Sequence, residues 1–403
     1  MSVLNILEEK LAETKKQGRF REFLNLERGV QDKPWATSHG HHGERRLNVW
    51  CSNDYLAMSH HPKVLLATTE AVNRVGLGTC GARSISGTSV YHSELETLLA
   101  SAYGKESALL FTTGFGANDA TLSTLCDAIP DLIVFSDELN HASMIYGIRY
   151  SKAEKKIFRH NDVAHLAELL QAADPARPKL IAFESLYSMD GDFAPLAQIV
   201  ALAEQYQALT YLDEIHSAGV YGERGLGYAE QLGLLDKITI IQGGFGKSYG
   251  AAGGYIAAPR SVVEAVRSWA PAFVFSTSSP APVVAAALAS FKYNLEHDTQ
   301  RKHLLAIVDH LKTGLRAAGI PLVSADSHIL PLRVGDPHRN KHISQVLLDE
   351  HDIYVQPVNA PTVPAGSERL RVTPTSAHSH ADVETFLAAL GRVWAANDLR
   401  RAG

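Results

Sequence analysis

The amino-acid sequence predicts an α/β protein built on a mostly parallel sheet with helices on both faces. Short apolar runs alternate with helical patterns between about residues 105 and 260, which is typical of chains that form parallel sheets. Apolar positions recur at helical spacing in "DVAHLAELLQAA" (162–173) and "APLAQIVALAEQYQ" (194–207), and Asn161 or Asp162 can cap the first of these helices. After about residue 290 the pattern changes, which indicates a second, smaller α+β domain.

Six apolar runs are predicted to be buried strands. They are "SALLF" (107–111), "LIVFSD" (132–137), "KLIAFES" (179–185), "LTYLDEIH" (209–216), "ITIIQGG" (238–244) and "GGYIAAP" (253–259). The first five end in small, polar or acidic residues, and ligands of parallel sheets bind beyond the carboxyl ends of the strands. We therefore expect Asp137, Ser185, Asp213, His216 and the glycine-rich segment 243–255 to converge on one crevice.

The chain is expected to divide into an N-terminal helix and arm (1–50), a large domain (51–290) and a small C-terminal α+β domain (291–403). In the small domain, residues 291–319 are predicted as one long helical stretch. "HILPLRV" (328–334) and "RLRVTPT" (369–375) are predicted as strands, and residues 380–398 as a closing helix.

Composition excludes several classes of function. The chain has 403 residues with 45% hydrophobic and 20% charged residues, and its net charge of −5 gives no electrostatic basis for binding nucleic acid. Its N-terminus lacks the apolar core of a signal peptide, and no stretch approaches the roughly 20 apolar residues of a membrane span. Its three widely spaced cysteines fit free thiols in a reducing compartment. We expect a cytoplasmic protein without membrane or nucleic-acid partners.

A histidine-rich run, "SHGHHGERR" (38–46), raises the question of a metal site. Metal sites need several ligands at suitable spacing, and the sequence offers no second cluster to complete one. We predict a solvated loop and no bound metal.

Lys247 is the residue that points most directly to chemistry. It lies within "GGFGKSYGAAGGY" (243–255), where glycines and small residues leave the backbone open. Such a segment could be a flexible surface loop with a solvated lysine. It could also hold a phosphate with its N–H groups, or place the lysine amine against a carbonyl carbon as a Schiff-base nucleophile.

The order of residues along the chain decides between these hypotheses. "TTGFGANDA" (112–120) is a glycine-bearing turn that enters a helix, a geometry that binds anions. His141 and Asp213 follow later strand ends, and Lys247 comes after both. A phosphate turn, a flat side chain, a carboxylate and a lysine are what pyridoxal 5'-phosphate (PLP) requires. A P-loop is excluded because GxxxxGK[ST] is absent, and a dinucleotide fingerprint because "GFGKSYG" has the wrong spacing.

The sequence resembles the α-oxoamine synthase family of fold-type-I PLP enzymes over essentially its whole length, and its segment 353–375 is especially similar to the aminolevulinate synthases within that family. The motifs that carry the resemblance are "GRFREF" (18–23), "WCSNDYLAMSHHP" (50–62), "GARSISGTSVYHSELE" (81–96), "GANDATLSTL" (116–125), "NHASMIYGIR" (140–149), "FRHND" (158–162), "ESLYSMDGD" (184–192), "LDEIHSAGVYGERGLG" (212–227), "GGYIA" (253–257) and "IYVQPVNAPTVPAGSERLRVTPT" (353–375). It implies the aspartate aminotransferase-like fold and a homodimer with shared active sites. It also implies condensation of an amino acid with an acyl-CoA, with release of CO2 and CoA.

The resemblance also implies which residues bind the cofactor. Lys247 would attach it covalently and move the α-proton of the amino acid, while Asp213 would pair with the ring nitrogen and His141 would stack on the ring. His216 and Ser188 would contact the phenolic side of the ring. The phosphate would be held by Gly114 and Phe115, and by Ser276 and Thr277 from the neighbouring subunit.

Substrate contacts are implied in the same way. Arg371 would bind the carboxylate of the amino acid as a planar bidentate donor. The acyl-CoA and its acyl carboxylate would be bound by Arg21, Asn53, Ser136, Lys155 and Thr362. For Arg21 the alternative is an ordinary surface arginine.

Three positions depart from the family pattern. Aminolevulinate synthases usually have Thr-Arg-Asn-Ile where this chain has Ala82, Arg83, Ser84 and Ile85. Ala82 and Ser84 would line the pocket for the acyl tail, where each lost hydrogen bond to a charge costs about 1.5–3 kcal/mol. Gly244 replaces a threonine whose hydroxyl usually meets the phosphate.

The leading hypothesis is a decarboxylating condensation of glycine with succinyl-CoA that gives an α-aminoketone such as 5-aminolevulinate. A close alternative keeps this chemistry with an uncharged acyl group or a larger amino acid, in a specialised pathway. A third hypothesis is an inactive regulatory subunit, but such a subunit has no need of Lys247, Asp213 and His141 together.

Overall fold

The computed structural model describes residues 2–40, 43–397 and 399. The strands are β1 (Leu26–Glu27), β2 (Trp35–Gly40), β3 (Gly43–Val49), β4 (Ser107–Phe111), β5 (Ile133–Asp137), β6 (Glu154–Phe158), β7 (Lys179–Glu184), β8 (Leu209–Asp213), β9 (Ile240–Gly244), β10 (Gly254–Ala258), β11 (Leu330–Arg333), β12 (Ile353–Tyr354), β13 (Pro357–Val358) and β14 (Arg369–Val372). The helices are α1 (Val3–Lys16), α2 (Pro62–Val75), α3 (Val90–Tyr103), α4 (Gly114–Ala128), α5 (Ala142–Arg149), α6 (Val163–Gln171), α7 (Leu196–Gln205), α8 (Tyr228–Gln231), α9 (Arg260–Trp269), α10 (Pro271–Val274), α11 (Ala281–Glu296), α12 (Thr299–Ala317), α13 (Pro337–His351) and α14 (His380–Ala396).

Two compact units make up the chain. The larger contains Asp54–Ser188 and Phe193–Arg301. The smaller contains the described residues up to Asn53, the short segment Met189–Asp192, and the described residues from Lys302 onward.

The larger unit is built on a seven-stranded sheet with the order β4-β10-β9-β8-β7-β5-β6. In this sheet β10 runs antiparallel to β4 and β9, while the pairs from β9 through β6 are parallel. The predicted mostly parallel sheet is therefore confirmed, with all six predicted strands present and none of them shortened by more than three residues. Strand β6 was not predicted because it is an edge strand with exposed positions and two lysines, so its sequence does not form an apolar run.

Helices cover both faces of this sheet, as predicted. Along each strand, alternate side chains point to opposite faces, so Val134 and Phe135 belong to different cores. On one face, apolar side chains of α4, α5 and α9 pack against residues such as Val134 and Tyr211. On the other face, α3, α6, α7 and α11 pack against residues such as Phe135 and Leu212.

Two helix predictions have different outcomes. The N-cap of α6 is Asp162, whose side chain accepts a hydrogen bond from His165 N at 2.9 Å, so the capping prediction is confirmed. The prediction of one helical stretch over 291–319 is wrong, because α11 ends at Glu296 and α12 begins at Thr299. His297 has an extended backbone there, and the buried Arg301 guanidinium donates to its carbonyl, which stabilises the break.

The smaller unit joins the two ends of the chain. Strand β12 pairs in parallel with β3, which completes a sheet of order β1-β2-β3-β12, while β11, β14 and β13 form a second sheet. Trp50, Leu370 and Phe386 are buried in their common core. The structure thus differs from the expected division at residues 50 and 290, because the β3–β12 pairing places the N-terminal arm with the C-terminal segment.

The histidine-rich run is part of a β-hairpin in the described residues. Strands β2 and β3 pair antiparallel, so the predicted loop is wrong for these residues, while His41 and His42 lie outside the described residues. His39 contacts Glu27 at 2.9 Å and Glu44 at 3.3 Å. Throughout the described chain, no helix has the length and apolar character required to cross a membrane.

Candidate active site

The carboxyl ends of β7, β8 and β9 lie side by side and bring their terminal residues together. Glu184 pairs in register with Asp213, and Asp213 with Gln242. The Asp213 carboxylate is 2% exposed, and its Oδ1 accepts a hydrogen bond from Ile215 N at 2.8 Å. Burial raises the pKa of Asp213, while hydrogen bonds from Asn118 and Ile215 and the charges of His141 and Lys247 act in the opposite direction. The carboxylate is therefore fixed in orientation, and the positive charge of Lys247 favours its ionised form.

Asn118 on α4 holds Asp213 in place. Its amide Nδ2 donates to Asp213 Oδ2 at 2.7 Å and to Ser143 Oγ at 2.9 Å. Its Oδ1 accepts a hydrogen bond from Tyr211 OH at 2.7 Å. Because both ends of this amide are bonded inside the protein, the carboxylate of Asp213 has one defined direction.

His141 caps the N-terminus of α5 next to this network. Its Nδ1 lies 2.7 Å from Ser143 Oγ and accepts from Ser143 N at 3.2 Å, which orients the imidazole ring. Burial is the main cause that lowers the pKa of His141, and the charge of Lys247 lowers it further. The charge of Asp213 acts in the opposite direction. A neutral ring of fixed orientation is suited to stacking on a flat aromatic ligand.

Glu184 is a second buried carboxyl group in the site. Its Oε1 accepts a hydrogen bond from His141 N at 2.5 Å. Burial raises the pKa of Glu184 well above its ordinary value, with a further increase from the charge of Asp213. The negative charges of Glu184 and Asp213 repel each other, which favours a proton on one of the two carboxyl groups. We infer that Glu184 carries this proton.

Glu184→Gln is expected to flatten the pH dependence of stability in the cofactor-free protein. Because folding raises the pKa of Glu184, its contribution to stability is complete below an unfolded pKa of about 4.3 and declines as pH rises toward the folded pKa. The free energy of unfolding of the wild type should fall by up to about 1.4 kcal/mol per pH unit more steeply than that of the variant. Denaturant unfolding from acidic to neutral pH measures this difference, and parallel profiles would contradict it.

Lys247 follows β9 in a compact loop. Phe245 N donates to Gly253 O at 3.0 Å, and Gly250 N donates to Lys247 O at 2.8 Å. Gly250 has a φ of +61°, and a Cβ there would lie 2.0 Å from Ser59 N, so only glycine allows this close approach. The charge of Lys247 acts on the pKa values of His141, Glu184 and Asp213. The structure thus brings together the predicted lysine, aspartate and histidine.

The N-terminus of α4 forms an anion cradle in the same unit. Thr113 caps this helix by accepting a hydrogen bond from Gly116 N at 2.9 Å. The first N–H groups of a helix, here those of Gly114 and Phe115, have no partner within the helix and favour an anion. A Cβ on Gly254 would lie 2.7 Å from Gly114 Cα, so the cradle depends on close backbone packing.

Other predicted contacts of the ring are also in the larger unit. His216 is buried, and its Nδ1 lies 2.9 Å from Tyr55 OH. Ser188 is half-buried at the end of a segment that follows Glu184. Their roles stay predictions.

The predicted substrate residues of the smaller unit form two pairs. Arg371, on β14, is buried and donates through Nη1 to Asn53 Oδ1 at 3.0 Å. Arg21 is exposed beyond α1 and donates through Nη2 to Thr362 Oγ1 at 2.8 Å. Arg21 and Thr362 line a cavity of about 580 Å³ together with Lys341.

The remaining predicted site residues differ from one another in their exposure and in their hydrogen-bond partners. Ser136 is 2% exposed, and its hydroxyl donates to Asp137 O and accepts from Asn140 Nδ2, so its contact with acyl-CoA stays a prediction. Lys155 is exposed on β6 and donates to Arg149 O at 2.8 Å. Ala82 pairs through a short antiparallel bridge with Thr277, while Ser276, Ser84 and Ile85 lie in the adjoining segments.

Several residues of the site were not identified from the sequence. Asn118 lies in the quoted motif "GANDATLSTL", one turn after Gly114, and Glu184 opens the motif "ESLYSMDGD". For Glu184, an acidic strand end next to that of Asp213 was a usable signal. The partners Tyr211, Ser143 and Tyr55 have no such signal, because their bonds to Asn118 and His216 join elements far apart in sequence.

A doubly covered, mostly parallel sheet with a lysine, a buried aspartate and a histidine at its carboxyl edge defines a fold-type-I PLP enzyme. The sequence profile of the family "Aminotransferase class I and II" matches residues 46–390. The chain is 49% identical over 395 residues to the 5-aminolevulinate synthase of Rhodobacter capsulatus, covering 96% of this chain and 95% of the relative. It is also 49% identical to the 5-aminolevulinate synthase of Paracoccus denitrificans, with 98% of both chains covered.

Solved structures agree with the sequence relatives. The serine palmitoyltransferase of Sphingomonas wittichii has a TM-score of 0.91 and 31% identity, with 99% of both chains covered. A high-resolution structure of SPT with PLP has a TM-score of 0.93 and 31% identity, covering 99% of this chain and all of the other. The chain therefore belongs to the aminotransferase class I and II family, in its α-oxoamine synthase group.

Proposed function

We propose that the protein is a PLP-dependent acyltransferase that condenses glycine with succinyl-CoA to give 5-aminolevulinate, CoA and CO2, a reaction that serves tetrapyrrole biosynthesis. The observation that carries the proposal is the cluster of Lys247, Asp213 and His141 at the carboxyl edge of the sheet. The names of the relatives, 49% identical over nearly the whole chain, support the substrates.

The residues of the larger unit fit PLP. The α4 N-terminus offers main-chain donors to a phosphate, and Gly254 allows β10 to pack closely against the first residue of that helix. Asp213 supplies a buried, oriented carboxylate for a pyridinium nitrogen, and His141 supplies a flat face. Bound there, PLP supplies an electron sink for a carbanion at the α-carbon of the amino acid.

The protein's own side chains would then have separate roles in the reaction. The Lys247 amine takes the α-proton of glycine and returns a proton later in the cycle. Asp213 keeps its negative charge toward the ring nitrogen because Asn118 and Ile215 bind both of its oxygens. The α-carbon of glycine attacks the thioester carbonyl, CoA leaves, and loss of CO2 from the β-keto acid completes the reaction.

Arg371 and Asn53 are proposed to bind the carboxylate of glycine. Arg371 offers a planar fork of N–H donors that matches a carboxylate. Asn53 accepts one of these N–H groups and so limits the directions that the guanidinium can take.

Arg21 and Thr362 are proposed to bind the carboxylate of the succinyl group. Arg21→Ala should reduce kcat/KM for succinyl-CoA about 10- to 100-fold, the value of one hydrogen bond to a charged group. Activity with butyryl-CoA should be unchanged, because that chain has no carboxylate. Steady-state CoA release measures both constants.

Arg19 provides a matched control for this variant. It lies two residues before Arg21 and donates through Nε to Ala360 O at 3.1 Å. Arg19→Ala should leave the preference for succinyl-CoA intact. Equal losses for the two acyl groups in Arg21→Ala would contradict the assignment.

Ala82 and Ser84 favour a second candidate: the same chemistry with a different acyl group or a larger amino acid. Ala82 has no hydroxyl to donate, and Ser84 is shorter than asparagine. If the acyl group differs, Arg21 would not set the acyl preference, so the measurement on Arg21→Ala also separates that case from succinyl-CoA.

We also propose a homodimer with shared active sites, located in the cytoplasm. Phe275 is 84% exposed and Ile85 is 72% exposed, next to Ser276 and Ser84, and large exposed apolar side chains of this kind mark interaction surfaces. Light scattering should give twice the chain mass of 43.8 kDa, and a monomer at micromolar concentration would contradict it. The free thiols of the chain's cysteines support the location.

The proposed function is tested by stoichiometry. The purified, PLP-loaded enzyme should release CoA and CO2 in equal amounts from glycine and succinyl-CoA, with 5-aminolevulinate detected by mass. CoA release without CO2, or no dependence on glycine, would overturn the proposal.

A further inference from the structure

One side chain occupies the space beside two glycines of the site. A Cβ on Gly244 would lie 2.5 Å from Ile215 Cδ1 and 2.7 Å from Ile215 Cγ1. A Cβ on Gly114, at the N-terminus of α4, would lie 2.4 Å from the same Cδ1. The δ-methyl of Ile215 therefore fills the gap between the end of β9 and the helix terminus.

The position of Ile215 is fixed from the other side. Its backbone N–H donates to Asp213 Oδ1 at 2.8 Å, so the main chain cannot move away without releasing the carboxylate. A side chain added at 244 must displace the end of Ile215 by rotation. Rotation in turn is limited by Gly114, because the same methyl lies against both glycines.

We propose that Ile215 and Gly244 are a coupled pair that replaces a hydroxyl-bearing side chain at the phosphate end of the cofactor site. Ile215 takes up the volume that a residue at 244 would occupy. On this side, phosphate is then held by main-chain N–H groups packed against an apolar methyl. Ile215 is thus a positioning residue, and this inference rests on the proposed binding of PLP.

If the two residues are coupled, changing either Ile215 or Gly244 alone should not improve the binding of PLP. Gly244→Thr should weaken PLP binding about 10-fold or more, because its Cβ meets Ile215. Ile215→Ala removes both Cδ1 and Cγ1, the two atoms that a Cβ at 244 would meet, so Ile215→Ala/Gly244→Thr has room for the threonine. Its hydroxyl can then donate to the phosphate, and the double variant should bind PLP at least as tightly as the wild type, up to about 10-fold more tightly.

The test is a double-mutant cycle on cofactor affinity, which isolates the coupling of the pair. Apoprotein is titrated with PLP and, in parallel, with pyridoxal, which lacks the phosphate. The weakening in Gly244→Thr and its recovery in the double variant should appear with PLP and be at least about fivefold smaller with pyridoxal. Thermal unfolding of the apoproteins identifies any variant that has lost its fold.

Gly246→Ala is the matched control in the same loop. A Cβ at 246 meets nothing nearer than Ala251 O at 3.9 Å, so this variant should keep wild-type affinity. Additive effects of Ile215→Ala and Gly244→Thr, or tighter binding by Gly244→Thr alone, would overturn the inference. A wild-type protein that binds no PLP would instead overturn the proposed function, so the two failures are distinguishable.

Discussion

Lys247→Ala is expected to lower the rate of CoA release by at least about 10³-fold, the largest effect of any single substitution in the chain. In the proposed mechanism two functions are lost together, because the amine would both attach the cofactor and move the α-proton, and proton transfer alone contributes about 10²- to 10⁴-fold. The visible absorption band of lysine-bound PLP should also disappear. Single-turnover CoA release and absorbance spectra measure the two effects.

A matched control for Lys247→Ala is Lys237→Ala. Lys237 pairs with Glu204 at 2.8 Å, on the same unit but away from the carboxyl edge of the sheet. It should retain wild-type activity and colour. Substantial turnover by Lys247→Ala with the cofactor still covalently attached would contradict the assignment of this lysine.

Asp213→Asn is expected to give the second largest effect, a loss of about 10- to 100-fold or more in kcat with a smaller change in KM. The amide keeps the shape of the carboxylate but removes the charge that pairs with the pyridinium nitrogen, and a hydrogen bond to a charged group contributes about 1.5–3 kcal/mol. The loss should fall on kcat because the electron sink acts in the transition state and not in substrate binding.

Glu214→Gln is the neighbouring control for Asp213→Asn. Glu214 is equally buried, but its carboxylate accepts hydrogen bonds from Tyr228 N at 3.0 Å and Ala229 N at 2.8 Å, which makes it a structural group. Its substitution should lower the unfolding temperature and leave the absorption spectrum of the bound cofactor unchanged. Similar spectral changes in both variants would argue against a special role for Asp213.

The residues proposed to be catalytic could be selected from the sequence because strand ends are local features. Lys247, Asp213 and His141 each follow an apolar run, and a parallel sheet collects such residues at one edge. The order of these residues along the chain then indicated PLP.

The supporting residues could not be predicted in the same way. Asn118 reaches Asp213 because α4 packs beside β8, although the two are 95 residues apart in sequence. The break between α11 and α12 falls in the polar run "EHDTQRKH" (296–303), which contains no glycine or proline to mark the end of a helix. The joining of the N-terminal arm to the C-terminal segment depends on β12, which has two residues and no distinctive pattern.

Gly244 shows how the structure adds to a sequence observation. The sequence indicates only that a hydroxyl is missing at this position. Its physical meaning comes from Ile215, whose δ-methyl lies where a Cβ would be. We propose that Gly244 and Ile215, which look independent in the sequence, act together in packing.

The most direct test of the proposed function is CoA release by the purified, PLP-loaded enzyme with glycine, comparing succinyl-CoA with butyryl-CoA and octanoyl-CoA. We expect succinyl-CoA to be preferred at least about 10-fold in kcat/KM, because Arg21 and Thr362 bind its carboxylate. Equal or faster reaction with an uncharged chain would contradict that result and show that Ala82 and Ser84 have changed the acyl specificity of this α-oxoamine synthase.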